Sequence, residues 1–306
     1  MNLAFAGTPP FAAHVLRALI GSKHEVGLVI SQPDSRRGRG RKTSPTAVAE
    51  FATGQGLPLI QPARIGEVSG EISRHDILVV AAYGQILRGD TLHAARHAAY
   101  NVHASLLPAY RGAAPVERAL MAGEKKTGIS IMQMDVGLDT GPVVLRREVP
   151  VPPDMNAGEL TDNLARVGGE AMVDALTMIE AGTAEFQEQD ETRATYAAKI
   201  SAEDREVRWD RTAPEVKDHI RALSPHVGAR AKHPDFDGPI KVLRARVYRE
   251  HDSPLAAGEI DSSQGCILVG CGTGLLELEE VQAPGKKPLK AREFLRGNSF
   301  GGTFTR

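Results

Sequence analysis

Three side chains of different chemistry lie in two short motifs of this 306-residue chain. Asn101 and His103 fall in Asn101-Val102-His103-Ala104-Ser105-Leu106-Leu107-Pro108, and Asp139 falls in Met134-Asp135-Val136-Gly137-Leu138-Asp139-Thr140-Gly141-Pro142. In an extended segment alternate side chains share a face, so Asn101 and His103 point the same way. An asparagine amide can donate to a developing oxyanion, and an imidazole can carry a proton near neutral pH. Asp139, with Gly137 and Gly141 on either side, sits where the backbone can turn sharply and return a carboxylate toward the ring. Such a set suits transfer of an acyl-type group to an amine without a covalent enzyme intermediate. Taken singly the motifs are weak: most histidines are structural, and aspartates between glycines are common in turns. Asp135 is the competing carboxylate, and the flanking glycines favour Asp139.

A second feature is the run Arg36-Arg37-Gly38-Arg39-Gly40-Arg41-Lys42, with five cations in seven positions. Most charge runs are solvated loops. Here the interleaved glycines allow the loop to fit a phosphate backbone, and arginine can fork onto phosphate or guanine. A basic loop following a strand, near the strand end that carries His103, suggests a polyanionic substrate. Lys286 and Lys287, in Gly285-Lys286-Lys287-Pro288-Leu289-Lys290, form a second basic patch that is either a solvated hairpin tip or a further phosphate contact.

The elements that must position these residues follow from the hydrophobic pattern. Residues 3–6, 25–30, 57–60, 77–82 and 99–103 read as strands; 11–19, 46–54, 113–122 and 158–181 read as helices; 127–134 and 142–149 are two further strands flanking the Asp139 loop. This alternation predicts an α/β fold with a doubly wound, mostly parallel sheet, whose ligands bind at the carboxyl ends of the strands. The turn Gly7-Thr8-Pro9-Pro10 is not G-x-G-x-x-G, so no dinucleotide is inferred. Residues 183–205 are polar with little periodicity and read as a linker. Beyond them a helix over 213–223 and short strands over 240–248, 258–260, 266–269 and 275–281 predict a small β-barrel. Trp209, the single tryptophan, is expected to anchor that core.

Composition narrows the class. Hydrophobic residues make up 42% and charged residues 25%, and the net charge is −1, which excludes a histone-like or polybasic protein. Cys266 and Cys271 have no neighbouring histidine or cysteine cluster, make a poor zinc site, and are expected to be free thiols in a reducing compartment. The other histidines show no metal-ligand spacing. The N-terminus is apolar but short and lacks a basic leader, and no apolar run is long enough for a bilayer. A cytoplasmic protein is expected.

Together these residues resemble the folate-dependent formyltransferases, and among them the methionyl-tRNA formyltransferase family. The likeness rests on Gly7-Thr8-Pro9-Pro10-Phe11-Ala12, Gln32-Pro33-Asp34 with the basic loop, Ala82-Tyr83-Gly84-Gln85-Ile86-Leu87, the run from Asn101 to Pro115, and Met132 through Gly141. The N-terminal motifs are shared with other folate-dependent formyltransferases; the basic loop and the C-terminal barrel single out the tRNA enzymes. The resemblance implies a Rossmann-like catalytic domain over 1–183, a linker over 184–205 and an OB-like, tRNA-binding β-barrel over 206–306. It implies 10-formyltetrahydrofolate as donor and co-substrate, methionyl initiator tRNA as acceptor, no metal, no membrane, and a monomer. Asn101, His103 and Asp139 are the implied catalytic residues. Tyr83, Ile86, Leu87, Ser105, Leu106, Leu107 and Pro108 are the implied folate contacts, and Arg36, Arg37, Arg39, Arg41, Lys42, Lys286 and Lys287 the implied tRNA contacts. Two alternatives stay open: formyl transfer to a nucleotide or nucleotide sugar, and an RNA-binding protein with an inactive folate fold.

Overall fold

The computed structural model describes residues 1–37, 42–298 and 300–305. The chain divides into two units. One comprises Met1–Pro115, Lys126–Pro150 and Thr161–Ala197; the other comprises Val116–Lys125, Val151–Leu160 and Ala198–Arg306.

The first unit is built on a seven-stranded sheet in the order Val143–Pro150, Lys126–Gln133, Ala98–His103, Ile77–Ala81, Asn2–Gly7, Glu25–Ile30, Leu59–Ile60. The last five run parallel, and the first two are antiparallel at one edge. The expected mostly parallel sheet is therefore present. Its strands read as unbroken apolar runs because both faces are covered. Ala4, Ala6, Leu28, Ile30, Leu78 and Val80 share a cluster with Ile65, Ile72 and Leu92 from short helical turns. On the opposite face the long helix Ala157–Glu180 comes so close that a Cβ on Gly168 would sit 2.8 Å from Val102 Cγ1.

Local chemistry sets the ends of the helices. Thr46 caps Ala47–Gly54, its hydroxyl accepting from Ala49 N at 3.0 Å. Pro10 opens Pro10–Ile20, where a missing N–H costs nothing. The expected strand over 57–60 shrinks to Leu59–Ile60, and the expected helix over 113–122 to Pro115–Met121. Inside the basic run, Ser35–Arg37 pairs antiparallel with Lys42–Ser44, a hairpin the pattern did not suggest. Residues 38–41, with Arg39 and Arg41, lie outside the described residues.

The second unit is an antiparallel sheet in the order Ala229–Ala231, Ile240–Arg249, Leu275–Gln282, Ile267–Gly270, Glu259–Asp261, Gly302–Thr303. It curls until its two edges meet, where Thr305 N donates to Lys232 O at 2.9 Å. The helix Ala213–Leu223 begins with a reciprocal capping box between Thr212 and Glu215. Inside, Trp209 stacks on Phe304 with ring centroids 5.1 Å apart, and Phe300, Phe294 and Phe236 continue the aromatic cluster. Both cysteines are free, and burial pushes the Cys271 thiol up to about 12. No helix among the described residues is long and apolar enough to cross a membrane.

Candidate active site

The strand Ala98–His103 lies between a parallel and an antiparallel neighbour, with Asn101 opposite Val80 on one side and Met132 on the other. Its alternation does what the sequence implied: Val102 is buried on one face, while Asn101 and His103 reach the same carboxylate on the other. That carboxylate is Asp139. Its Oδ1 faces Asn101 Nδ2 at 3.5 Å, and its Oδ2 faces His103 Nδ1 at 3.6 Å. Asp135, the competitor, is exposed and accepts from its own neighbour, Val136 N, at 2.7 Å.

Asp139 stands at φ +53°, a left-handed conformation that costs a non-glycine residue about 1–3 kcal/mol. Gly141 makes the turn possible, since a Cβ there would collide with the Gln133 carbonyl. The loop is then tied down from outside. Gly112 N donates to Asp139 Oδ2 at 2.8 Å, and the Gln189 amide donates to the carbonyls of Asp139 and Gly141 at 2.8 and 2.7 Å.

His103 is fixed by the corner that follows its strand. The Ser105 hydroxyl donates to Ala109 O at 2.6 Å, and Ser130 donates to Ser105 O at 2.8 Å while accepting from Leu107 N at 3.0 Å. The corner so held presents the Tyr110 carbonyl to His103 Nε2 at 2.9 Å. A carbonyl only accepts, so Nε2 carries a proton and Nδ1 is the nitrogen left to face Asp139.

Sequence reasoning missed Arg111, Gln189 and Glu191. The Arg111 guanidinium is fully buried and donates from Nε and Nη2 to Gln189 Oε1, at 3.1 and 2.9 Å. It also forks onto Glu191 at 2.8 and 2.7 Å. The hydrogen bonds to Glu191 hold the guanidinium above its ordinary range against burial, and Arg111 holds the Glu191 carboxyl below its own. The strand Arg111–Gly112 pairs in parallel with Tyr196–Ala197. Residues 187–197, inside the stretch read as a linker, thus belong to the packed first unit. No periodicity marks such a segment, because polar side chains and single bridges hold it.

The other expected residues are spread more widely. Tyr83 and Leu87 are buried in the core, with burial pushing the Tyr83 phenol up to about 12, and Leu107 packs on Met132 and Val143. Ser105 spends its hydroxyl on the corner, and Leu106 and Pro108 are partly exposed. Ile86 is 91% exposed, on the loop after Ile77–Ala81, and Val136 and Leu138 are exposed on the Asp139 loop. The backbone of Arg36, Arg37 and Lys42 forms the hairpin that follows Glu25–Ile30. That strand and the His103 strand end at the same sheet edge, three spacings or about 14 Å apart. Lys286 and Lys287 are exposed in the turn between Leu275–Gln282 and Leu289–Lys290.

The geometry combines an amide donor, an imidazole and a carboxylate, a set able to stabilise an oxyanion and move a proton. Comparison with known proteins is consistent with that chemistry. The family described as formyl transferase matches residues 1–176, and the one described as formyl transferase, C-terminal domain, matches 199–299. The chain is 61% identical over 306 residues to the methionyl-tRNA formyltransferase of Rubrobacter xylanophilus, covering 100% of both chains. It is 42% identical to that of Methylobacillus flagellatus, covering 97% of each. Among solved structures it resembles the N-formyltransferase from Helicobacter canadensis in complex with folinic acid and dTDP-3-aminofucose, with a TM-score of 0.65 and 16% identity, covering 90% of this chain and 98% of that one. It also resembles HypX from Aquifex aeolicus in complex with tetrahydrofolic acid, with a TM-score of 0.66 and 16% identity, covering 100% of this chain and 50% of that one. At these identities the structural likenesses speak for the fold alone.

Proposed function

The chain belongs to the formyltransferase family, with the methionyl-tRNA formyltransferases as its branch, and on that footing we propose that it moves the formyl group of 10-formyltetrahydrofolate onto the α-amine of methionyl initiator tRNA, for translation initiation. The observation that carries the acceptor is identity over the whole length of proteins bearing that name, C-terminal unit included. The geometry supports a division of roles. The neutral amine attacks the formyl carbon. Asn101, whose amide has two N–H donors and spends at most one on Asp139, gives the other to the tetrahedral oxyanion. Asp139 stabilises the protonated His103 ring, which gives a proton to the folate N10 as the bond from N10 to the formyl carbon breaks and tetrahydrofolate leaves. Asp139 takes the proton that the amine loses, directly or through water, and so restores the proton spent. With Nε2 bound to Tyr110 O, the ring works through Nδ1. On this reading the enzyme is a cytoplasmic monomer that needs no metal ion, and sedimentation checks the monomer.

Formyl transfer from a defined folate donor to charged initiator tRNA, run beside glycinamide ribonucleotide, tests the reading. Transfer to the tRNA with negligible use of the small acceptor is expected. Efficient use of the small acceptor with none of the tRNA overturns it.

Two further results are expected. Gly112→Ala lowers kcat by about tenfold or more, because a hydrogen bond to a charged group is worth about 1.5–3 kcal/mol. At φ +119° an alanine is strained, and its Cβ would sit 2.9 Å from Ala197 O, so the N–H that binds Asp139 must move. A wild-type kcat in the folded variant refutes this. Replacing Arg36, Arg37, Arg39, Arg41 and Lys42 by glutamine weakens use of initiator tRNA at low salt and leaves folate binding unchanged. The salt dependence of tRNA affinity flattens by about one unit of log–log slope for each phosphate the loop no longer neutralises. An unchanged slope makes the loop a solvated surface and leaves tRNA binding to Lys286, Lys287 and the C-terminal unit.

A further inference from the structure

We propose that Gln189, held by Arg111 and Glu191, is a positioning residue that sets the Asp139 carboxylate against His103 and Asn101. The inference rests on the reaction proposed above for its kinetic readouts only.

Four observations lead to it. First, Asp139 occupies a left-handed conformation that aspartate tolerates better than most residues but still at a cost, so contacts from outside the turn help to hold it. Second, the Gln189 amide uses both N–H groups on this turn, one on the carbonyl of Asp139 and one on that of Gly141. These carbonyls lie at and just beyond the residue whose carboxylate is in use. Third, the orientation of that amide is dictated. Its Oε1 accepts two N–H groups from Arg111, so a flipped amide would place an oxygen against two carbonyls and an NH2 against the guanidinium. Gln189 is only 9% exposed, which leaves water little part in correcting a flip. Fourth, Arg111 is locked in turn. Glu191 takes two of its N–H groups at the solvent side, and the next residue, Gly112, donates its backbone N–H to Asp139 Oδ2.

The segment bearing Gln189 is stitched on both sides of this turn. Gln187 and Val143 exchange backbone hydrogen bonds at 2.9 and 2.8 Å just past the loop, and Thr195 O and Ala197 O accept from Arg111 N and Ala113 N at 2.8 and 2.9 Å. Backbone ladders fix the segment, and the single Gln189 side chain carries that fixation to Asp139. A residue with only a structural role would hold the ladder; this one holds the catalytic turn through its two carbonyls.

Gln189→Glu is the decisive variant. It keeps the size and the acceptor for Arg111, and it replaces the two donors by oxygen. Amide hydrogen exchange on the full-length free protein gives a substrate-independent readout. The Gly112 N–H should exchange about tenfold faster or more as Asp139 swings away, while the Arg111 and Ala113 N–H groups keep their protection. In formyl transfer, kcat should fall by about a hundredfold, the cost of a displaced catalytic group, with KM for donor and tRNA unchanged. Adding the change to Asp139→Asn should cost nothing further, since the residue acts only through Asp139. If Gln189→Glu does not fold, Gln189→Met, of similar size and without donors, should give the same pattern. Unchanged Gly112 exchange with wild-type kcat overturns the proposal. Loss of protection at all three amides also overturns it and makes Gln189 a packing residue. A wild-type protein that does not formylate initiator tRNA refutes the proposed function, and the exchange pattern still decides the role of Gln189.

Discussion

Asp139→Asn lowers single-turnover formyl transfer by about two to three orders of magnitude, the usual loss when a charge-stabilising group is removed from a preorganised site. The asparagine is the same size, so the effect isolates charge and acceptor count. In the native turn the carboxylate presents one oxygen to Asn101 and the other to Gly112 N–H, and that second oxygen stands 3.6 Å from His103 Nδ1. An amide has one oxygen, so either Gly112 N–H or the Asn101 amide must face an NH2 group, and the partner of a protonated His103 is gone. Asn101→Ala loses a similar factor, as one oxyanion donor does, and His103→Ala loses as much or more. The His103→Ala, Asp139→Ala double variant should lose far less than the product of the single losses, because ring and carboxylate act as a unit. Asp135→Asn should keep wild-type turnover, since that carboxylate is exposed and bonded within its own turn. Near-normal turnover in Asp139→Asn with a loss in Asp135→Asn would show that the wrong carboxylate has been assigned.

Trp209→Ala destabilises the C-terminal unit by about 3–5 kcal/mol, the range for emptying a buried aromatic site. Trp209 is buried beneath the meeting edges of the curled sheet, with its ring 9° from parallel to Phe304, which in turn packs on Phe300. Its loss opens a cavity against the Phe304 ring, next in sequence to Thr305, whose bridge to Lys232 joins the two edges of the sheet. Trp209→Phe should cost much less, about 1–2 kcal/mol. The indole N–H finds no partner among the described residues, so phenylalanine removes an unpaired donor along with some packing area. Denaturant unfolding followed by circular dichroism reads both variants, since the substitution removes the chain's single tryptophan as a fluorophore. A loss below about 1 kcal/mol for the alanine variant would place the anchor of this core elsewhere.

What the sequence determined by itself was set by neighbours along the chain, although the short hairpin of Ser35–Arg37 with Lys42–Ser44 escaped it. The apolar runs and helical patterns specified the parallel sheet, because strands covered on both faces must be apolar at every position and the connecting helices apolar on one side. Strand alternation put Asn101 and His103 on one face, and the glycines around Asp139 marked a tight turn. The spacing of short runs after residue 240 marked the antiparallel sheet. Tertiary structure decided what depends on distant segments meeting. It brought Asp139, the carboxylate that the flanking glycines already favoured, to the ring and left Asp135 bonded within its own turn. It placed the Tyr110 carbonyl on Nε2 and so left Nδ1 to face Asp139. It also turned the polar stretch around Gln189 into a clamp. Arg111, Asp139 and Gln189 are brought together by hydrogen bonds between residues up to 78 positions apart. Such bonds leave no period in the chain, because a single buried polar contact needs only one donor and one acceptor at the right place in space.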